Sequence, residues 1–324
     1  VQQDFIRWQR SMYWFYKIKL SKKGFVMALF AIGDFHLSFQ TPEKSMDIFG
    51  AVWRHHEEKI KRNCEALVGP HDTLVITGDH SWGRKLAECE QDLAFIEALP
   101  GRKILLRGNH DMFWDAKRTA SLNRRFAGKL SFLQNNFFAY EDYALVGTKG
   151  FTFEGPFYLD GQGRVIGWDE EREAHAKMLV ERECTRLRRS LDAAVAAGFQ
   201  KFILFLHYPP TNILEQKSPF TDIAEEYGAE QVIYSHCHGE ERFHDSLQGV
   251  VRGITYRLVS GDYLDFKPVR IFDRDQISWA VVMPRLFAGP AVLQELLRHA
   301  PALVVEFPVA FAELALHARE ARGD

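Results

Sequence analysis

The stretch that decides the fold is Lys103-Ile-Leu-Leu-Arg-Gly-Asn-His-Asp111, a short apolar run followed directly by a polar cluster. Short apolar runs of this kind are typical of strands that are buried in a sheet. The cluster that follows offers amide, imidazole and carboxylate groups. The stretch therefore predicts a buried strand with chemically capable side chains at its carboxyl end.

The same order of apolar run and polar cluster recurs at four other places along the chain. These are Phe25–Ile32 before Asp34 and His36, Thr73–Thr77 before Asp79, Lys201–Leu206 before His207, and Gln231–Tyr234 before His236 and His238. Residues 49–67, 84–99 and 170–197 instead carry apolar residues three and four positions apart, which predicts amphipathic helices. Alternating strands and helices predict a layered α/β fold with much parallel pairing.

Three regions depart from this alternation. Residues 128–168 are aromatic and turn-rich and predict short strands and loops. Residues 1–26 carry six Lys or Arg against one Asp, and we expect a basic, aromatic N-terminal extension in which Lys17 and Lys19 interrupt any signal-peptide core. Residues 273–324 are rich in Ala and Leu, which predicts a helical C-terminal extension that could mediate homo-oligomer formation.

The composition excludes several classes of protein. The chain has 324 residues, of which 46% are hydrophobic and 26% charged, so disorder, collagen and coiled coil are excluded as overall descriptions. A formal net charge of −2 argues against nucleic acid as the main partner. No run approaches the roughly 20 apolar residues of a membrane span. Four scattered Cys without a paired motif predict reduced thiols and a cytoplasmic protein.

The metal-capable side chains all follow predicted strands. Because sites in open α/β sheets form at the carboxyl ends of strands, these residues are expected to converge on one cleft. Oxygen and nitrogen ligands without a thiolate suit two borderline divalent ions such as Mn, Fe, Zn, Co or Ni, with Mn favoured. Two such ions need a bridging ligand, and a carboxylate can bind both.

The ordered motifs Asp34-x-His36, Gly78-Asp79, Gly108-Asn109-His110-Asp111, His207 and His236-x-His238 resemble the calcineurin-like metallophosphoesterase superfamily. The resemblance covers about residues 27–272. It implies an α/β fold in which a layered β-sandwich is flanked by helices. It also implies a metallophosphoesterase that hydrolyses small phosphodiesters or phosphomonoesters, with a hydroxide between two metal ions attacking phosphorus in line.

The resemblance also implies a role for each motif residue. Asp34, His36 and His238 would hold the first metal, Asn109, His207 and His236 the second, and Asp79 would bridge them. His110 would act as general acid or phosphate donor, and Asp111 would orient it. Taken singly, Asp34 or Asp79 reads better as a turn residue or helix cap, and His207 as a packed core histidine.

Some features depart from the superfamily pattern. Ser235 stands where Gly usually precedes the last His-x-His motif. The Asp-Arg pair that protein phosphatases carry after the Gly-Asp motif is missing, which disfavours a protein phosphatase. A nuclease and a catalytically silent scaffold remain as alternatives. His80 is expected in the core or behind the site rather than as a ligand, and Arg84 and Arg107 could reach a phosphate or form surface ion pairs.

Overall fold

The computed structural model describes residues 27–152, 157–159 and 165–272. The extensions predicted for residues 1–26 and 273–324 lie outside these residues. The strands are β1 Leu29–Ile32, β2 Thr73–Ile76, β3 Arg102–Leu106, β4 Leu130–Leu133, β5 Phe137–Tyr140, β6 Tyr143–Thr148, β7 Phe157–Leu159, β8 Val165–Trp168, β9 Lys201–Leu206, β10 Gln231–Tyr234, β11 Gly249–Val251, β12 Ile254–Leu258 and β13 Val269–Phe272. The α-helices are α1 His56–Leu67, α2 Glu90–Ala98, α3 Thr119–Arg125, α4 Glu170–Ala196, α5 Pro219–Glu226 and α6 Glu240–Asp245.

Two mixed sheets form the centre of the fold. The first has the order β13-β1-β2-β3-β4, and the second has the order β11-β12-β10-β9-β6-β5. Within the first sheet β1 to β4 are parallel, and within the second β6, β9, β10 and β12 are parallel. Strands β7 and β8 pair as a separate antiparallel hairpin. Parallel strands end at the same edge of a sheet, which places the polar clusters together.

The core consists of three apolar layers. Alternate side chains of both sheets, among them Leu29, Val75, Ile104, Leu145 and Phe205, pack into a buried layer between the sheets. The other faces of the sheets are covered by helices, α1 and α2 on the first sheet and α4 and α5 on the second. The molecule is thus a β-sandwich flanked by helices, which confirms the predicted fold class.

The first predicted helix differs from the observed one. Residues 49–67 contain a short 3-10 turn, Ala51–Trp53, and α1 begins only at His56. The chain breaks because Arg54 is extended and His55 has a φ of 52°. The His56 ring contacts the carbonyl oxygens of Trp53 at 2.9 Å and Phe35 at 2.8 Å, which holds the helix start against the loop after β1.

The predicted helix 84–99 is also divided, into a 3-10 turn Leu86–Glu88 and α2, which begins only at Glu90, whereas several other predicted elements lie close to their expected positions. Strands β9 and β10 have the predicted bounds, and α4 covers residues 170–196 of the predicted 170–197. The region 128–168 contains β4 to β8 and connecting loops, as predicted. Within the described part of the chain, no helix has the length and apolar character that crossing a membrane requires.

Candidate dinuclear metal site

Seven predicted ligand side chains lie at the carboxyl ends of five strands. Two come from the loop after β1, one each from the loops after β2, β3 and β9, and two from the loop after β10: Asp34 and His36, Asp79, Asn109, His207, and His236 and His238. Strands β1 to β3 belong to one sheet and β9 and β10 to the other. The side chains therefore meet where the same ends of both sheets come together.

One group of ligand atoms comprises Asp34, His36 and His238, whose nearest donor atoms all lie within 4.8 Å of one another. Asp34 and His36 are buried, with 0% and 2% of their surface exposed. Oδ1 of Asp34 and both ring nitrogens of His36 have no hydrogen-bond partner among the described residues. Buried polar atoms of this kind are costly unless something binds them, so this group fits a cation.

A second group comprises Asp79, His207 and His236, again with donor atoms within 4.8 Å of one another. His207 Nε2 lies 2.6 Å from Oδ1 of Asn109 and 3.2 Å from Nδ1 of His236. His207 Nδ1 lies 2.9 Å from the Thr77 carbonyl oxygen, which leaves Nε2 to face the other donors. One amide oxygen and two imidazole nitrogens thus converge on the same point.

The Asp79 carboxylate lies between the two groups. Its Oδ2 atom is 3.7 Å from Nε2 of His36 and 3.3 Å from Nε2 of His207. Its Oδ1 atom accepts the backbone N–H of His110 at 2.8 Å. This carboxylate is placed so that it can contact a cation in each cluster.

The mutual burial of acids and imidazoles shifts the pKa values of the ligands in both directions, toward the metal-binding form for His36, His236 and Asp79 and away from it for Asp34. Burial raises the pKa of Asp34 to about 6 and lowers the pKa of His36 to about 3. Burial and His207 lower the pKa of His236 to about 2. Burial opposes ionisation of Asp79, yet the imidazoles of His207 and His36 hold its pKa well below its usual range. Neutral imidazoles and ionised carboxylates are the forms that bind divalent ions.

The backbone of the site is strained at the ligands themselves. Four ligand residues have positive φ although none is glycine, with values of 58° for Asp34, 44° for His36, 54° for Asp79 and 73° for His236. Such conformations cost about 1–3 kcal/mol each and persist where the surroundings impose them. Strain of this kind concentrates at functional sites. Here the left-handed backbone directs the ligand side chains that follow the strands toward the same cleft.

Comparison with known proteins identifies the family. The profile that describes calcineurin-like phosphoesterases matches residues 27–240, which spans all the strand-end motifs. The chain belongs to the calcineurin-like phosphoesterase family. This match confirms the predicted resemblance. The site is therefore interpreted as that of a member of a metal-dependent phosphoesterase family.

Several solved structures are similar to the chain at low sequence identity. A protein of unknown function from Aquifex aeolicus has 16% identity and a TM-score of 0.42, covering 78% of this chain and 99% of its own. A phosphopantetheinyl hydrolase from Mycobacterium tuberculosis has 17% identity and a TM-score of 0.42, covering 73% and 90%. A calcineurin-like phosphoesterase from Bacillus subtilis has 16% identity and a TM-score of 0.37, covering 73% and 82%. Comparison with curated proteins finds no match.

Asp111 contacts a different histidine from the one expected. Both of its carboxylate oxygens accept backbone N–H groups, from Gly108 at 2.7 Å, Asp79 at 3.0 Å and His80 at 2.8 Å. The same carboxylate contacts Nδ1 of His80 at 2.9 Å. Within the described residues, Asp111 makes no hydrogen bond to the His110 ring, so its carboxylate does not orient that ring in the way the resemblance implied, and its catalytic role stays a prediction. The tight turn directs adjacent side chains apart.

His110 is oriented instead by aromatic neighbours. Its half-buried ring lies 4.3 Å from the Trp82 ring and 5.5 Å from the His36 ring, measured between centroids. Trp82 also stacks on His36 at 5.1 Å. Trp82 therefore contacts both a predicted ligand and the predicted general acid, whereas Trp114, which follows the Asn109–Asp111 motif, is fully buried in the core.

Two residues near His238 were not found from the sequence. The Asp262 carboxylate lies 2.9 Å from Nδ1 of His238 and leaves Nε2 to face the site. Trp53 packs edge-on against His238 with a centroid distance of 5.4 Å. Asp262 follows the run Ile254–Val259 in the same way that Asp79 follows β2, so the signal that revealed the other motifs was present there.

Ser235 fits where the superfamily pattern has glycine. Its backbone is not in the left-handed region, so glycine is not needed for conformational freedom. Its hydroxyl donates to the Thr77 carbonyl oxygen at 3.0 Å and lies 3.3 Å from Nδ1 of His207. The side chain occupies the space beside Gly33, where a Cβ would collide with Ser235 and Thr77.

Proposed function

We propose that the protein is a dinuclear metal-dependent hydrolase of small phosphomonoesters or phosphodiesters. The observation that carries this proposal is the position of Asp79 Oδ2, 3.7 Å from His36 Nε2 and 3.3 Å from His207 Nε2. A single carboxylate within reach of both ligand groups is what a pair of ions about 3.5–4 Å apart requires.

Each of the seven side chains has a place in this proposal. Asp34, His36 and His238 would hold one ion, and Asn109, His207 and His236 would hold the other. Asp79 would contact both. Support comes from the two donor groups within 4.8 Å and from the partnerless buried atoms of Asp34 and His36. The oxygen and nitrogen donors fit Mn, Fe, Zn, Co or Ni, and we favour Mn.

Two bound divalent ions would supply an activated water and would stabilise negative charge on the phosphoryl oxygens. The protein's own contribution is to fix the geometry. The Asp79 carboxylate holds the backbone of His110, and Trp82 supports the His110 ring. From this position the His110 imidazole would donate a proton to the leaving oxygen of the substrate.

The alternatives are less well supported. A silent scaffold of this fold would lose metal ligands, whereas every ligand position is filled here. The residues after Asp79 lack the Asp-Arg pair of the protein phosphatases, and a net charge of −2 disfavours a nuclease. Four cysteines scattered along the sequence without a paired motif support our placement of the protein in the cytoplasm.

The proposal is tested by assays of the metal-loaded protein on p-nitrophenyl phosphate and on bis(p-nitrophenyl) phosphate. We expect hydrolysis that chelation abolishes and that Mn restores. The ratio of the two rates distinguishes a monoesterase from a diesterase. Failure to hydrolyse either ester with any of the five candidate metals would contradict the proposal.

A further inference from the structure

Lys149 is a nearly buried cation at the end of β6 that the proposed reaction does not use. Only 9% of its surface is exposed, and among the described residues its ammonium group contacts aromatic rings rather than a hydrogen-bond or ion-pair partner. The ammonium lies 4.8 Å from the centroid of the Tyr208 ring and 5.7 Å from that of Phe151. A desolvated cation held between aromatic rings without an acid is costly unless an anion joins it.

Lys149 is attached to the metal site through its own backbone. Its carbonyl oxygen accepts the N–H groups of His207 at 3.1 Å and of Tyr208 at 2.9 Å. The Tyr208 ring under the ammonium lies 4.1 Å from the His236 ring. One aromatic ring therefore separates the ammonium from a predicted ligand of the second metal.

Arg107 is a second cation in the neighbourhood of Lys149, because its charge joins burial in lowering the pKa of the Lys149 ammonium. It follows β3, whose Leu106 side chain lies 3.1 Å from the Cβ position of Gly147 in β6, so the ends of the two strands face each other. Arg107 Nε donates to the Trp114 carbonyl oxygen at 2.6 Å. Its other guanidinium nitrogens have no hydrogen-bond partner in the part of the chain that the structure describes. Arg107 thus offers a fixed fork of free donors beside Asn109.

Glu183, the acid whose charge acts most strongly on Lys149, is already paired with other cations. Glu183 is fully buried and lies 2.5 Å from Nη1 of Arg186 and 3.6 Å from Nε of Arg182. Its second oxygen accepts the Thr148 hydroxyl at 2.7 Å. Two arginines therefore pair with this one carboxylate, and it makes no ion pair with Lys149.

We propose that Lys149 and Arg107 form an anion subsite beside the metal centre, which binds a second, non-reacting anionic group of the substrate. The inference rests on the proposed function and narrows its substrate class to phosphoesters that carry a further phosphate, phosphonate or carboxylate. Such a group would form ion pairs with both cations, and the fold already holds these cations in place before the substrate binds.

The test compares three aryl phosphates that differ only in one substituent, placed meta or para to the ester. The substituents are carboxylate, phosphonate and the neutral carboxamide. We expect the metal-loaded wild type to have a kcat/KM about tenfold or more higher for at least one anionic ester than for the carboxamide. The carboxylate and phosphonate arms show which anion the subsite prefers.

The key variant is Lys149→Met, with Lys149→Arg as the conservative variant. Lys149→Met should lose the preference for anionic esters, mainly through a higher KM for them. Its kcat/KM for the carboxamide ester should differ from that of the wild type by no more than about twofold. Lys149→Arg should retain the preference. Lys103→Met is the matched control, because Lys103 is also 9% exposed but lies at the opposite end of its strand, where it donates to Leu99 O at 2.7 Å.

Calorimetric titration with the same esters measures their binding affinity even where turnover is slow. Equal binding of charged and neutral esters by the wild type would overturn the subsite, whether or not the proposed hydrolysis occurs. An equal loss on all three esters in Lys149→Met would also overturn it, because the cations would then serve the reacting phosphate. If Lys149→Met does not fold, Arg107→Met replaces it with the same expectations.

Discussion

The carboxylates of Asp79 and Asp111 each bind the other's loop. Asp111 Oδ2 accepts the backbone N–H of Asp79 at 3.0 Å, and Asp79 Oδ1 accepts the backbone N–H of His110 at 2.8 Å. The loops after β2 and β3 are thereby fastened to each other by two reciprocal hydrogen bonds. The bridging position of Asp79 Oδ2 depends on this fastening, because Oδ1 fixes the rotation of the carboxylate.

Asp111→Asn should destabilise the fold. The buried carboxylate accepts hydrogen bonds from three backbone N–H groups. The NH2 group of Asn cannot accept such bonds, so at least one buried N–H would lose its partner. We expect the free energy of unfolding to fall by about 2–4 kcal/mol, measured by urea denaturation. Asp115→Asn is the control, because exposed Asp115 caps a turn and Asn caps equally well. Equal stability of the two variants would contradict the role of Asp111.

Asp262→Ala should weaken metal binding without unfolding the protein. Asp262 holds Nδ1 of His238 at 2.9 Å, and loss of a carboxylate behind a ligand imidazole typically costs about 10–100-fold in metal affinity. The measurement is a competitive titration of Mn or Zn against a chelating indicator. Asp265→Ala is the control, since exposed Asp265 ion-pairs only with Lys59 and Lys267. Wild-type affinity in Asp262→Ala would show that His238 needs no such support.

Gly33→Ala should destabilise the protein, and adding Ser235→Gly to the same chain should restore part of the lost stability. A Cβ at Gly33 would collide with Ser235 and with the Thr77 hydroxyl. We expect a loss of about 1–3 kcal/mol for Gly33→Ala alone. Ser235→Gly alone should cost about 1 kcal/mol through the lost bond to Thr77 O. Strict additivity in this double-mutant cycle would mean that the two side chains do not compete for space.

His110→Asn should slow hydrolysis in proportion to the basicity of the leaving group. The ring lies at the rim of the site, supported by Trp82 at 4.3 Å. If the ring protonates the leaving oxygen, the rate of phenyl phosphate hydrolysis should fall by about 10²–10⁴-fold, and the rate for p-nitrophenyl phosphate should fall much less. Metal content should be unchanged, which separates this role from ligation. An equal loss on both esters would favour a role in binding the phosphate.

The sequence predicted the fold class and the convergence of the site because both follow from local patterns. Each apolar run became a strand, and each polar cluster became a loop at its carboxyl end. What failed was the geometry within single turns. Asp111 is adjacent to His110 in the chain, but the turn sends it to His80 and to the backbone of Asp79. Neighbours in sequence cannot show which way a turn directs each side chain.

Long-range partners were also beyond the sequence. Arg107 and Lys149, which we propose to act together, follow or end strands of different sheets, β3 and β6, and no spacing along the chain relates the two. The helix start at His56 depends on a contact between its ring and Phe35 O, 21 positions away. Asp262, by contrast, follows an apolar run in the same way as Asp79 and could have been predicted.

The most direct test of the dinuclear site is the metal content of Asp79→Asn, measured beside the wild type and Asp142→Asn. Asp142 is an exposed acid paired with Lys201 at 2.8 Å, so its variant should behave like the wild type. The account predicts two divalent ions per wild-type chain, at most one in Asp79→Asn, and a loss of activity of at least about a hundredfold. Two ions and near-wild-type activity in Asp79→Asn would contradict it.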